Sequence, residues 1–468
     1  MAHAESRPKP VLRPEYCKGC GRCLEACARG SIEAGSAVQP ASGLVPVALD
    51  LETCNGCGLC VDACPEPYGL VQAVLAAELE ASACRRHSPR PARVPAEEVP
   101  EQHAALPDAP PLVMKGTHAA AVGGLFAGCR HFFGYPITPS TEGAELMAKL
   151  LPPLGGTFHQ APSEVAAVNM MYGCGGAGLP VMTFTSSPGF SLMLEGISYM
   201  IGAEVPGVFV NVMRAGPGLG NIGPEQTDVK LACRGLGHGD THAVVLAPAT
   251  PQEMLDFTML AFELSFRYRN PVVILADGHL GQMTGKVTLP RELVRPGLPR
   301  WAVSGDAAHR GNLISSILLK EADQEAHNLR LVEKYACMAD AEQRADLFCC
   351  DDAEVLLVAC TTPARMAKGA VRALRAAGIA AGLFRPQTLW PFPIRQLLPL
   401  LERTRRIVVV EASAGQLEDE LRLALSHAGV SGSIDLQHVR RLGGVLPSQR
   451  EIVDAVRGRR SSGGAVAA

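Results

Sequence analysis

Two runs of four cysteines constrain this 468-residue chain more than any other feature: Cys17-x2-Cys20-x2-Cys23-x3-Cys27 and Cys54-x2-Cys57-x2-Cys60-x3-Cys64-Pro65. Three thiolates spaced by two residues wrap one face of a cubane cluster, and the fourth cysteine of such a run ligates the other cluster of a pair. The spacing therefore assigns Cys17, Cys20, Cys23 and Cys64 to one [4Fe–4S] cluster, and Cys54, Cys57, Cys60 and Cys27 to a second. Zinc sites usually pair two C-x2-C units across a longer spacer, and two copies of this four-cysteine run point instead to clusters. Ala28 stands where proline usually follows the fourth cysteine; that position shapes a turn and supplies no ligand. The other eight cysteines (84, 129, 174, 233, 337, 349, 350 and 360) have no ligand spacing. They are expected to be buried as small apolar side chains.

Sixteen cysteines need a compartment, and the rest of the chain points to one. Residues 1–10 are polar with no apolar core segment, which predicts no secretory signal. No uninterrupted apolar run reaches the ~18 residues that cross a bilayer; the best candidate, 181–213, is interrupted by Glu195, Glu204 and several glycines. A cytoplasmic protein with no membrane partner is expected, and in the cytosol cysteines serve metal or redox work more often than disulfides. A net charge of −3 leaves no broad basic surface, so no nucleic-acid partner is expected. Charged residues make up only 19% of the chain, which suits a surface packed against partner subunits.

Beyond the cysteine runs lies a stretch of seven prolines between residues 89 and 111, read as a semi-rigid linker. From residue 112 the pattern alternates. Apolar runs at 181–184, 207–212, 243–246, 272–276, 355–359 and 407–410 suit buried parallel strands. Helical signals separate them: Thr250-Pro251-Gln252-Glu253 has the form of a capping box, and Thr362-Pro363 opens a helix that Gly378 closes. Doubly wound α/β layers follow from this alternation. Residues 311–347 lack strand signals and are predicted to be helical. The chain thus divides into 10–78 around the clusters, a linker at 79–111, an α/β domain at 112–290, a mainly helical connection at 291–350, a second α/β domain at 351–456 and a disordered tail at 457–468.

Residues 14–70 resemble a bacterial two-[4Fe–4S] ferredoxin domain of α+β fold. Residues 112–440 resemble the α subunit of 2-oxoacid:ferredoxin oxidoreductases, thiamine-diphosphate enzymes of anaerobic metabolism. That resemblance is carried by Tyr135-Pro136-Ile137-Thr138-Pro139, by Phe384-Arg385-Pro386-Gln387-Thr388-Leu389-Trp390-Pro391-Phe392-Pro393 and by Val410-Glu411-Ala412-Ser413-Ala414-Gly415-Gln416. Met213-Arg214-Ala215-Gly216-Pro217-Gly218-Leu219-Gly220-Asn221-Ile222 and Gly237-His238-Gly239-Asp240 look most like the branched-chain, 2-oxoisovalerate type. The resemblance implies a doubly wound pyrimidine-binding domain, a smaller α/β domain like the C-terminal domain of transketolase, and a ferredoxin domain equivalent to the family's δ subunit.

It also implies roles. Glu164 would hydrogen-bond N1′ of the aminopyrimidine ring of thiamine diphosphate and help to activate the cofactor. Arg214 would bind the substrate carboxylate, a task suited to a planar fork. Thr138 would contact the 2-oxoacid through its hydroxyl. Read without the resemblance, each is ordinary: a helix-start acid, a surface cation and a turn threonine. His238 and Asp240 read as a hydrogen-bonded structural pair. The family's G-D-G…N motif for Mg2+ is absent, as is the G-x-G-G-Q-G stretch of its γ subunit. A separate β subunit is therefore expected to hold the diphosphate and Mg2+, with γ as a separate or β-fused chain and an external ferredoxin as acceptor. The expected reaction converts a 2-oxoacid, favoured as 3-methyl-2-oxobutanoate, and CoA to acyl-CoA and CO2. The alternatives are 2-oxoglutarate, pyruvate or an aryl pyruvate as substrate, or a non-catalytic electron-transfer or scaffold subunit.

Overall fold

The computed structural model describes residues 7–40, 42–66, 68–73 and 98–458. The chain forms two compact units, Met1–Arg93 and Val94–Ala468. Residues 79–97 of the expected linker, 459–468 of the expected tail, and Cys84 lie outside the described residues.

In the first unit each cysteine run makes the same turn and helix. Gly19 and Gly21 in one run and Gly56 and Gly58 in the other have φ of +64°, +78°, +69° and +83°, a backbone that side-chain-bearing residues resist. Five-residue helices follow, Arg22–Ala26 and Leu59–Ala63. Strand β1 (Pro10–Leu12) pairs antiparallel with β4 (Leu70–Gln72), and β2 (Ile32–Ala34) with β3 (Val47–Leu49). Among the described residues the core cluster is small: Cys23, Ile32, Val47, Cys60 and Leu70. Two of its five members are cysteines, so the unit is organised around what those thiols hold.

The second unit opens with β5 (Gln102–Ala105) and β6 (Leu112–Lys115). Six strands of the main sheet follow: β7 (His131–Gly134), β8 (Thr157–Gln160), β9 (Val181–Thr185), β10 (Gly207–Met213), β11 (Val244–Leu246) and β12 (Pro271–Asp277). Then β13 (Thr284–Val287) and β14 (Glu292–Arg295) return to pair with β6 and β5. The second sheet contains β15 (Ala345–Phe348), β16 (Val355–Val358), β17 (Ala381–Pro386), β19 (Arg406–Glu411) and β20 (Asp435–Arg440), in the order β15-β17-β16-β19-β20. Only β15 runs antiparallel there. Strand β18 (Thr388–Trp390) leaves that domain and joins the first sheet antiparallel to β11, giving the order β18-β11-β12-β10-β9-β7-β8.

β9, β10 and β12 are buried along their whole length, as parallel strands covered on both faces must be. Phe132, Phe184, Phe190 and Phe209 fill the layers against them. The two sheets are also joined by polar contacts. Arg385 donates to both Glu253 oxygens, at 3.0 and 2.5 Å, and Arg234 to both Glu420 oxygens at 2.6 Å. Asp277 accepts from the Thr362 amide and hydroxyl at 2.8 and 2.7 Å.

Three local expectations change. The proline-rich stretch is not linker throughout, because β5 lies within it; its residues are half-exposed or exposed and leave no apolar signature. Within 311–347 a helix forms at Glu321–Ala341, but residues 345–348 are the edge strand β15, half-exposed and without a continuous apolar run. Thr250 caps its helix by accepting from the Glu253 amide, yet Glu253 Oε2 accepts from the Ala249 amide, one residue before the cap, and meets Arg385.

Candidate functional site

The chain runs outward from β7 to β8, then returns to β9 on the other side of β7. Ligands of open α/β sheets bind outside the strand C-termini at such a reversal. Two segments leave the sheet there: the 135–140 loop after β7 and the helix Ser187–Gly202 after β9. The loop is stiffened by its own polar groups. Ser140 donates from its amide and its hydroxyl to the Ile137 carbonyl at 3.0 and 2.8 Å, and Gln282 donates to the Pro139 carbonyl at 3.1 Å. Thr138 is left exposed at its tip.

Arg214 stands just past the end of β10 and is brought to this loop from 76 residues away: Nη1 donates to the Thr138 carbonyl at 2.9 Å. Nη2 donates to the Leu219 carbonyl at 3.3 Å, and buried Nε has no partner. Arg214 is 9% exposed, and no carboxylate among the described residues pairs with it. A buried guanidinium held only by carbonyls has no counter-charge, which an anionic ligand would supply.

Glu164 is the first residue of the helix Glu164–Gly176, whose amides are capped by Ser163 Oγ accepting from Ala166 at 3.2 Å. It is 5% exposed and so no surface acid. Its carboxyl has no hydrogen-bond partner among the described residues and lies against Gly189, in the first turn of the helix Ser187–Gly202. A Cβ on Gly189 would come within 2.6 Å of Glu164 Oε1 and 2.4 Å of Thr185 Oγ1, so only glycine admits the carboxyl there. That turn links the site: Gly189 faces Glu164 while Ser187 Oγ accepts from the Arg214 amide at 3.1 Å. A buried, unpartnered carboxyl beside a glycine gap fits a hydrogen-bonding ring nitrogen such as that of an aminopyrimidine.

The structure groups the cysteines by the crossed pattern. Cys17, Cys20, Cys23 and Cys64 surround one void, and Cys27, Cys54, Cys57 and Cys60 another. Burial pushes the Cys23 thiol up, and neighbouring Cys17, Cys64 and Cys20 push it further; burial does the same at Cys60, where Cys54 and Cys27 add to it. Among the described residues no three His, Cys, Asp or Glu side chains converge on a single-ion site. Four thiols spread around a void suit a cluster in which each binds its own iron.

The remaining thiols divide. Cys129, Cys174 and Cys350 are pushed up by burial, to about 12, 12 and 11, which leaves them inert as nucleophiles. Cys233 and Cys360 are buried too, but Cys337 and Cys349 are exposed, against expectation. His238 and Asp240 are both exposed and do not pair; the His238 ring instead meets Tyr199 edge-on at 6.1 Å. Ser187, Thr227 and Asp228, which surround the Arg214 main chain, carry no signal in a single sequence.

The family model for the thiamine-diphosphate-binding region of pyruvate flavodoxin/ferredoxin oxidoreductases matches residues 123–347, that for pyruvate:ferredoxin oxidoreductase core domain II matches 353–452, and a 4Fe-4S dicluster domain matches 16–67. Ketoisovalerate oxidoreductase subunit VorB of Methanothermobacter thermautotrophicus is 46% identical over 347 residues, covering 74% of this chain and 97% of that subunit. 2-Oxoglutarate synthase subunit KorA of Archaeoglobus fulgidus is 37% identical, covering 66% and 90%. Among solved structures, 2-oxoglutarate:ferredoxin oxidoreductase from Magnetococcus marinus, with 2-oxoglutarate, coenzyme A and succinyl-CoA bound, matches with a TM-score of 0.65 at 25% identity, covering 74% of this chain and 65% of that one. No helix of the described residues is long and apolar enough to cross a membrane. The reversal point at β7 and β9, its unpaired cation and carboxyl, and these matches lead to one conclusion: the chain belongs to the 2-oxoacid:ferredoxin oxidoreductases, carrying their thiamine-diphosphate-binding domain together with a 4Fe-4S dicluster domain.

Proposed function

We propose that this chain is the α-type subunit of a cytoplasmic 2-oxoacid:ferredoxin oxidoreductase, with a δ-like ferredoxin domain in the same polypeptide, and that its substrate is a branched 2-oxoacid such as 3-methyl-2-oxobutanoate. One observation carries the reading: the buried, carboxylate-free guanidinium of Arg214 beside Thr138, linked through the 187–189 turn to Glu164. Arg214 holds the substrate carboxylate and neutralises its charge. Thr138 presents its hydroxyl to the 2-oxoacid from a stiff loop. Glu164 holds the aminopyrimidine ring and shares a proton with it through its carboxyl. Bound thiamine diphosphate supplies the carbanion chemistry that releases CO2. The eight cysteines 17, 20, 23, 27, 54, 57, 60 and 64 would hold two [4Fe–4S] clusters, whose one-electron chemistry would suit an external ferredoxin as acceptor.

The branched substrate is supported by the higher identity to the ketoisovalerate subunit, 46% against 37%, and by exposed Leu219 and Ile222 on the Arg214 loop. 2-Oxoglutarate would need a second cation for its second carboxylate. A β subunit supplies the diphosphate and Mg2+ site that this chain's motifs omit, with γ separate or fused to it. The test is CoA-dependent viologen reduction by the chain co-purified with its partner, across a panel of 2-oxoacids. Higher kcat/KM for 3-methyl-2-oxobutanoate than for 2-oxoglutarate, pyruvate and aryl pyruvates is expected. Equal activity with 2-oxoglutarate would remove the branched-chain assignment, and no activity on any 2-oxoacid would leave a scaffold.

A further inference from the structure

The main chain of Arg214 is gripped by side chains from two other segments. Its amide donates to Ser187 Oγ at 3.1 Å, and its carbonyl accepts from Thr227 Oγ1 at 3.0 Å. The Ser187 hydroxyl has one proton and three oxygens in reach. Asp228 Oδ2 lies at 2.6 Å, Thr227 Oγ1 at 3.2 Å and the Arg214 carbonyl at 3.3 Å, so the carboxylate takes the proton and a serine lone pair is left facing the Arg214 amide. The same Oδ2 accepts from Asn211 Nδ2 at 2.9 Å. Asn211 is fully buried in β10 and Asp228 is 5% exposed.

This carboxylate is unusual in its company. No lysine, arginine or histidine among the described residues pairs with Asp228. Burying a carboxylate on hydroxyl and amide donors alone carries a desolvation cost that an ion pair or a water-facing position would avoid. The cost yields alignment: Asn211 fixes the carboxylate, the carboxylate fixes the serine hydroxyl, and the hydroxyl fixes the start of the 214–220 loop. Ser187 also lies two residues before Gly189, the glycine against Glu164. One helical turn therefore sets both the cation and the carboxyl of the site.

We propose that Asp228, acting through Ser187, is the positioning residue for Arg214, fixing the main chain from which the guanidinium meets the substrate carboxylate. The inference rests on the reading of Arg214 as the carboxylate-binding residue. Displacing a binding group by about 1 Å costs up to about 100-fold, so loss of the brace should weaken substrate capture while leaving the chemistry after capture nearly intact.

The experiment uses the chain assembled with its partner subunits and compares Ser187→Ala, Ser187→Thr, Asp228→Asn and Arg214→Ala. Ser187→Ala and Asp228→Asn are expected to raise KM for the 2-oxoacid about tenfold or more, with kcat within about threefold and KM for CoA unchanged. Affinity for a non-reacting analogue that keeps the carboxylate should fall by the same factor. Ser187→Thr restores the hydroxyl, and its methyl has room because Ser187 is only half-buried; KM should return to within about threefold of the parent. If Asp228→Asn fails to assemble, Ser187→Ala and Ser187→Thr carry the test alone. An unchanged KM in Ser187→Ala, or no recovery in Ser187→Thr, with KM raised in Arg214→Ala, would overturn the positioning role and leave Arg214 as the carboxylate site. An unchanged KM in Arg214→Ala would instead overturn the reading beneath it.

Discussion

The two units of this chain are held together by opposite means. Among its described residues the first has a core cluster of five, two of them cysteines proposed as ligands, and short strands of three residues each. The second buries whole strands and dozens of apolar side chains between two α/β layers. A small unit with so small a core takes its fold largely from the group that its thiols bind, so binding energy and folding energy are closely coupled. The large unit is stable through its own packing and has an unpaired cation and carboxyl at its reversal point. Perturbations at the two sites should therefore separate cleanly: chemistry changes without stability at the site of the large unit, and both change together at the thiols of the small one.

The largest effect is expected at Glu164. Glu164→Gln should lower CoA-dependent turnover by about 10²- to 10⁴-fold, because a proton-sharing carboxyl is lost at the cofactor ring. Iron content and the unfolding temperature of the large unit should stay as in the parent. Turnover within a few-fold of the parent would remove Glu164 from the chemistry. At Cys60 the contrast reverses. Cys60→Ser should take iron from about eight to about four per chain and expose the first unit to proteolysis, while unfolding of the large unit is unmoved. Eight irons retained would disprove Cys60 as a ligand.

What the sequence made legible follows the same division. The crossed cysteine quartets were readable because ligand spacing is local and repeats: Gly19 and Gly21 match Gly56 and Gly58, and the two voids match as well. The buried strands β9, β10 and β12 were readable because a two-faced burial requires continuous apolar runs. The edge strands β5 and β15 were not, since exposed edges carry no such requirement. Thr138, Glu164 and Arg214 were marked by resemblance alone; on residues alone they read as a turn, a helix-start acid and a surface cation. Their meeting depends on strand order, and strand order is not written in any one segment. Ser187 and Asp228 were missed for a related reason: a hydroxyl and a carboxyl 41 residues apart acquire meaning only when β9 and β10 lie side by side.

A smaller effect probes how the large unit is joined within itself. Arg385 is 7% exposed and spans the two α/β layers to Glu253, with Asp346 also in reach at 3.2 Å. Arg385→Ala should destabilise the unit by about 3–5 kcal/mol, since a largely buried Glu253 loses its partner. Thermal unfolding of the full chain measures it, and the iron content of the first unit should not change. A loss under about 1 kcal/mol would mean that apolar packing and β18 hold the layers without the ion pair.

The smallest effect is a slope with pH. Glu411, at the end of β19, is fully buried, and burial raises its carboxyl above the ordinary glutamate range despite donors from Ser413 and the Leu417 amide at 2.5 and 2.9 Å. Below the ordinary value of about 4.3 the carboxyl is neutral in both folded and unfolded chains, and its contribution is fully present. As pH rises past that value the unfolded chain releases the proton while the folded chain keeps it, so stability is lost until the raised folded value is passed. Each unit of elevation corresponds to about 1.4 kcal/mol. Glu411→Gln cannot ionise and should be free of this loss. The stability of the parent relative to Glu411→Gln should therefore decline from pH 4 towards neutrality, read from unfolding temperatures of both chains in matched buffers. A difference that stays flat would mean that Arg440, 3.6 Å from Glu411 Oε1, keeps the carboxylate charged. The large unit would then hold a buried ion pair at β19 that outweighs the upward push of burial on the carboxyl.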